Sequence, residues 1–464
     1  MPLRNFLVIF AVAIISFACY SVTAKNRYAN LFAEVLEIVN KEALAGASEE
    51  ELFTGAMDGM LRNLDEHCSF ISDSGFREFK EDLKQEIGGV GIFVGMDPKS
   101  RTLMVLAPMP NTPAYESGIQ AGDLIVSIAG EPTLDKAQWD VIQKLRGPVG
   151  ETVDLEILRG ENVLFKTLTR AKIPIESAHG DYRKPDGNWN FFLKDHPNVA
   201  YIRLSQFGEM TGGEMKSALQ SLPSNVEGLI LDLRANPGGL LDIAVEICDM
   251  FLEADLPIVR IKGRDKLLIR EYTSTAGTEL LADLPVCILV DRYSASASEI
   301  VSGCLQDHKR AVLIGEQSYG KGTVQDIIPI QYNKSLLKLT TSSYWRPSDK
   351  QIDRNDPESQ KSKVWGVQPS QGFAIEMSDD EIIENIKHRQ QRTSLGIGGL
   401  VPETEDDQTK DETPSELNQT ESSEAEVEEV KTEEKSSLKV PHVDRPLEKA
   451  IEFILSQVSK KLAS

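Results

Sequence analysis

The run Val-Cys-Ile-Leu-Val (286–290), Asp-Arg-Tyr-Ser-Ala-Ser-Ala-Ser-Glu-Ile (291–300) and, further on, Gly-Glu-Gln-Ser-Tyr-Gly-Lys-Gly-Thr-Val-Gln (315–325) decides the fold. Its unbroken apolar opening reads as a strand buried on both faces. A cluster of small hydroxyl residues then opens a helix of roughly 14 residues, and the chain returns through Ala311–Gly315 to a Gly-Lys-Gly turn. The strand therefore delivers a serine to a helix start, and the return delivers Lys321. A lone serine there reads as a helix cap. Lys321 changes that reading: a lysine, ordinarily of pKa about 10.4, serves as a base at neutral pH only where burial lowers that value. A serine beside such an amine is an activated nucleophile.

Three other readings of these residues fail. Gly315–Lys321 fits half of a phosphate-binding loop, but Gly322 stands where the magnesium-holding hydroxyl belongs. Ser335-Leu-Leu-Lys338 has the Ser-x-x-Lys spacing of penicillin-binding proteins, yet lies in a strand pattern with Lys321-Gly-Thr ahead of it, the wrong order. A triad of Ser296, Asp307 and His308 would need a histidine roughly 18 Å along a helix axis to reach back to its start.

The residues resemble the C-terminal processing peptidases, or tail-specific proteases, which are Ser/Lys endopeptidases. The resemblance rests on Ser-Ala-Ser-Ala-Ser-Glu-Ile (294–300), Leu-Gln-Asp (305–307), Gly-Glu (315–316) and Gly-Lys-Gly-Thr-Val-Gln (320–325). It implies Ser296 as nucleophile, Lys321 as general base and Gln325 as the residue that orients the lysine. Asp-Leu-Arg-Ala-Asn-Pro-Gly-Gly (232–239) reads as a glycine turn before a helix N-terminus, where unbonded N–H groups stabilise an oxyanion. By the same resemblance its donors are Gly238 or Gly239, with Ala297 as the second. Leu-Asp-Glu-His-Cys-Ser-Phe-Ile (64–71) is similar to a further family segment, with Glu66 and Cys68 departing from it and His67 read as structural.

Gly88-Gly-Val-Gly-Ile92 opens a region of short strands and turns. Successive glycines aim backbone N–H groups at an anion, and adjacent apolar side chains shape a pocket, which suits a peptide's terminal carboxylate. With Ala-Gly-Asp-Leu-Ile-Val-Ser-Ile-Ala-Gly (121–130) the order resembles a PDZ domain, its carboxylate loop at Gly89, Val90, Gly91 and Ile92. Arg146, in Leu-Arg-Gly-Pro, is a candidate for coupling a filled groove to the protease.

From Val199 strands and helices alternate, implying a mixed α/β core, and the resemblance makes it a crotonase- and Clp-like core with an inserted, mainly β PDZ domain. The expected domains are a signal peptide or membrane anchor over 1–24, a helical region over 27–84, PDZ over 86–172, protease core over 173–378, an acidic disordered linker over 379–438 and an amphipathic helix over 440–464. That last helix, apolar at Leu447, Ala450, Ile451 and Ile454, must bury its face against its own body or in a homodimer. The leader, one arginine and then an apolar run over Phe6–Val22, implies export to a periplasm or cell envelope, with membrane anchoring left open.

The net charge of −22 argues against nucleic acid, and it is concentrated between Glu403 and Lys435, where fourteen acidic residues meet three lysines. Five widely spaced cysteines and six scattered histidines give no metal-ligand pattern, so no metal or cofactor is expected. The expected partners are protein substrates with apolar C-terminal tails. The competing expectation from another class is a non-catalytic PDZ adaptor or chaperone that retains the protease fold.

Overall fold

The computed structural model describes residues 10, 14, 27–72, 75–76, 84–97, 100–184, 188–275, 283–330, 335–394 and 442–463. Contacts divide the chain into two compact units, Met1–Phe79 with Thr323–Ser342, and Lys80–Gly322 with Ser343–Ser464.

In the first unit the helix Glu49–Arg62 starts at a capping box, Ser48 and Glu51 satisfying each other's backbone N–H. The expected helical region is interrupted soon after, although residues 75, 76 and 84 are again helical. Asp65 Oδ1 accepts from the N–H groups of His67 and Cys68, a turn that breaks the helix, and Ser69–Ile71 then form a strand antiparallel to Leu336–Lys338. Phe53 and Phe70 meet edge to face at 5.6 Å.

In the second unit, the strands Ile92–Met96, Leu103–Pro108, Leu124–Ile128, Thr152–Arg159 and Asn162–Thr169 pair antiparallel in that order, and Glu131–Pro132 pairs with Leu124–Ile128. Alternation puts Leu103, Val105, Val153, Leu155 and Ile157 into one core. Asp123, buried in its turn, holds Arg159 through two bonds of 2.7 and 2.8 Å. Glu86–Gly89 and Ala171–Pro174 pair antiparallel, tying the start of this domain to its end.

The expected protease core is a sheet in the order Ala178–His179, Val199–Leu204, Gly228–Asp232, Val286–Val290, Val312–Gly315, parallel except for its first pair. Gly228–Asp232 and Val286–Val290 are buried at every residue, which is why they read as unbroken apolar runs. The terminal helix Arg445–Ala463 packs Leu447, Ala450, Ile451 and Ile454 on Ile230, Cys287 and Ile314. Of the two alternatives, its own body or a homodimer, these four residues take the first and bury their side chains within their own unit. The expected linker is corrected. Asp379–Ser394 is a helix with Ile382, Asn385 and Arg389 buried; only the remainder of the acidic stretch lies outside the described residues. No described helix is long and apolar enough to cross a membrane, and most of the leader lies outside the described residues. Cys68, Cys248, Cys287 and Cys304 are buried free thiols.

Arg234, 1% exposed, fixes the terminal helix. Its guanidinium donates to Asp232 at 2.7 and 3.0 Å and to Asp444 at 2.7 and 2.9 Å, while Tyr201 donates to Asp232 at 2.7 Å. Burial, the largest influence, pushes both carboxyls up, but the charges of Arg234 and Arg389 and the bonds from Arg234 together hold each below the ordinary carboxylate range. A depressed folded pKa contributes stability above the unfolded value of about 3.9, lost as pH falls through the folded value. The second unit should therefore lose stability below about pH 4. Asp444→Asn should cost about 3 kcal/mol at neutral pH and flatten that acid limb, as read by thermal melting against pH; an unchanged limb would show that this pair does not set acid stability.

Candidate active site

The strand Val286–Val290 ends at Asp291, whose buried carboxylate accepts from the N–H groups of Ala235 and Tyr293 and from Ser294 Oγ. Burial pushes this carboxyl up, and the bonds from Ala235 and Tyr293 oppose that. Ser294 Oγ also lies 2.8 Å from the carbonyl of Leu233, and Ser298 Oγ donates to the carbonyl of Asn236 at 3.0 Å. Two of the clustered serines thus staple the turn that carries Ser296 to the glycine turn. The third, Ser296, is less enclosed and sits at φ 56°, ψ −114° directly before the helix Ala297–Asp307. Positive φ on a residue with a Cβ costs about 1–3 kcal/mol and is held only by surrounding structure.

The glycine turn lies against this corner. A Cβ on Gly238 would come within 2.8 Å of Ser296 Cβ and 2.9 Å of Ala297 N, so only glycine allows the approach. Gly238 donates its N–H to Asn236 Oδ1 at 2.9 Å, whereas the N–H groups of Gly239 and Ala297 make no hydrogen bond among the described residues. The donor left open by the sequence is therefore available at Gly239, not Gly238.

Glu299, which sequence reasoning passed over, joins serine to lysine. Its Oε2 accepts from the N–H of Ser296 at 2.8 Å and of Lys321 at 2.9 Å, and its Oε1 from Ser318 Oγ at 2.6 Å and the N–H of Gly320 at 2.7 Å. The side chain is wholly buried, and burial pushes its carboxyl up against the pull of those four bonds. One carboxylate thereby fixes the backbone of both candidate catalytic residues. Tyr344 is buried beside it, its phenol pushed well up by burial and then by the Glu299 and Asp353 charges.

Gln325 falls in the first unit, where its amide donates to Thr323 Oγ1 at 2.9 Å and Thr340 Oγ1 at 3.1 Å. Asp307 ends the helix Ala297–Asp307 bound to Arg346 at 2.6 Å and to Ser348, and His308 lies 2.7 Å from the carbonyl of Pro257. Both serve the scaffold.

In the PDZ domain Gly89, Val90, Gly91 and Ile92 line a groove of about 530 Å³ with Leu106, Ile142 and Leu145. Gly91, at φ 78°, packs so tightly on Thr112 that no Cβ fits, and the N–H groups of Val90 and Gly91 make no hydrogen bond among the described residues. Arg146 lines the same groove, its guanidinium 5.7 Å from the centre of the Trp139 ring.

A family model of Peptidase family S41 matches residues 198–369, and one of a PDZ domain matches 104–159. A carboxy-terminal-processing protease of Bartonella bacilliformis is 32% identical over 397 residues, 82% of this chain and 86% of the relative. A probable CtpA-like serine protease of Staphylococcus haemolyticus is 33% identical over 305 residues, 65% of this chain and 58% of the relative. The carboxy-terminal processing protease CtpB of Bacillus subtilis is 31% identical over 322 residues, 68% and 64% of the two chains, so this chain spans less than two thirds of the last two relatives. On the cover and identity of the Bartonella match, the chain belongs to the carboxy-terminal-processing proteases, serine-type peptidases of family S41, and carries a PDZ domain.

Proposed function

We propose that the protein is an exported endopeptidase that captures apolar C-terminal tails in its PDZ groove and cleaves peptide bonds with Ser296 and Lys321. The observation that carries this reading is the shared Glu299 oxygen, which holds the N–H of Ser296 and of Lys321 at 2.8 and 2.9 Å. In the first step the neutral Lys321 amine takes the Ser296 hydroxyl proton as Oγ attacks the substrate carbonyl carbon. The N–H groups of Gly239 and Ala297 receive the oxyanion. Lys321 then returns the proton to the leaving amine, and water, deprotonated by Lys321, hydrolyses the acyl-enzyme. Export rests on the apolar leader over Phe6–Val22.

Tail capture raises the local concentration of substrate at the serine. The test is cleavage of one unfolded protein presented with an apolar C-terminal residue, or with that residue amidated or replaced by lysine. At least about a tenfold preference for the apolar free carboxylate is expected. Equal rates would remove the tail-binding half of the proposal. Arg146→Ala belongs in the same assay: if Arg146 couples groove to protease, stimulation by added tail peptide falls, and unchanged stimulation ends that assignment.

A further inference from the structure

The groove has a second wall. Besides Val90, Ile92 and Leu106 the groove is lined by Glu176, His179, Arg183 and Arg203, from beyond the PDZ strands. A smaller cavity of about 110 Å³ adjoins it, sharing His179, Arg203 and Thr393 and reaching Arg389 and Arg392. That volume accommodates a carboxylate with one or two waters, at about 30 Å³ of liquid volume per water.

Charge in this corner is not balanced. Arg392 meets Asp181 at 3.0 Å. Arg389, 8% exposed, reaches only Asp232, at 3.4 Å, among the described residues, and that carboxylate is already engaged by Arg234 and Tyr201. Arg183 is paired with Glu176 and stacks at 3.8 Å on Trp189. Arg203 makes no side-chain hydrogen bond or ion pair among the described residues, and its Nε is shut off from solvent. Its sheet neighbour His179 lies 3.1 Å from Ser205 Oγ, and burial, then the charges of Arg203 and Arg183, hold its pKa down at about 3. The imidazole therefore adds no charge to the corner. Arg203 feels the Asp232 charge without a direct bond to it, and a partly buried guanidinium that makes no hydrogen bond among the described residues is a standing cost that an incoming carboxylate removes with charge-assisted bonds.

We infer that Arg203 and the mouth of this cavity form a second recognition subsite, which reads an acidic side chain a few residues upstream of the apolar terminus of a bound tail. The inference rests on the tail-binding reading of the groove. It makes the core, and not only the PDZ domain, a determinant of which substrates are held.

The test uses the full chain carrying Ser296→Ala, so that bound peptide survives, and fluorescence anisotropy with labelled peptides sharing one apolar terminus. Glutamate is placed in turn at the second to sixth positions from the end, against an all-glutamine peptide. At one position glutamate should bind at least about tenfold tighter. Arg203→Gln should reduce that ratio to below about threefold and Arg203→Lys should restore part of it. Retained affinity for the all-glutamine peptide shows that the variants are folded. No glutamate preference, or a preference that survives Arg203→Gln, overturns the subsite. Inorganic phosphate that binds through Arg203 while leaving the glutamate-to-glutamine ratio unchanged assigns the cavity to a free anion and overturns it too. Failure of every peptide to bind overturns the tail-binding reading itself.

Discussion

Ser296→Gly is expected to abolish peptide cleavage, by at least about 10,000-fold, while leaving the second unit more stable than Ser296→Ala does. The loss follows from removing the attacking oxygen. The stability difference follows from the backbone: at φ 56°, ψ −114° a Cβ is strained by about 1–3 kcal/mol, and glycine is not. Glycine in turn loses about 0.5–1 kcal/mol through its freedom in the unfolded chain. The net gain of about 1 kcal/mol should raise the melting temperature by about 2 °C over the alanine variant. Activity and local stability would then oppose one another at a single residue. An alanine variant melting at or above the glycine variant would show that the corner is unstrained.

The second large effect is expected at Glu299. In Glu299→Gln one acceptor oxygen becomes an NH₂ donor. Placed on one side it faces the N–H groups of Ser296 and Lys321; on the other it faces the N–H of Gly320. Either orientation leaves buried donors opposed, at a cost of about 2–4 kcal/mol. A fall of at least about 100-fold in kcat with KM nearly unchanged is expected, because the groove that holds the tail is built elsewhere. Glu299→Gln with undiminished kcat would remove Glu299 as the positioning residue.

Much of this site was legible because its parts are local. The buried strand before Asp291, the serine at a helix start and the glycines of 232–239 all declare themselves within a few residues of sequence. What stayed hidden was pairing across distance. Glu299 looks in sequence like a first-turn acid favoured by the helix dipole, and only folding brings Ser318, Gly320 and Lys321 to it. Likewise nothing around Asp444 announces Arg234, its partner 210 residues away. The acids of Asp379–Ser394 suggested a solvated tether, but Ile382, Asn385 and Arg389 turn one side of that helix inward. Ser69–Ile71 escaped notice because a strand of three residues is too short to show a period, and its partner is remote.

The pairing of Ser296 with Lys321 is the central claim. It is tested most directly by mass spectrometry of an unfolded protein with an apolar C-terminus, incubated with the wild-type chain, Ser296→Ala, Lys321→Ala and Lys321→Arg. Fragments from the wild type alone are expected, since arginine stays protonated and cannot accept the Ser296 proton as the neutral Lys321 amine does. Undiminished cleavage by Ser296→Ala or Lys321→Arg would contradict the dyad, and a silent wild type, even with apolar peptide filling the groove, would leave the chain an adaptor.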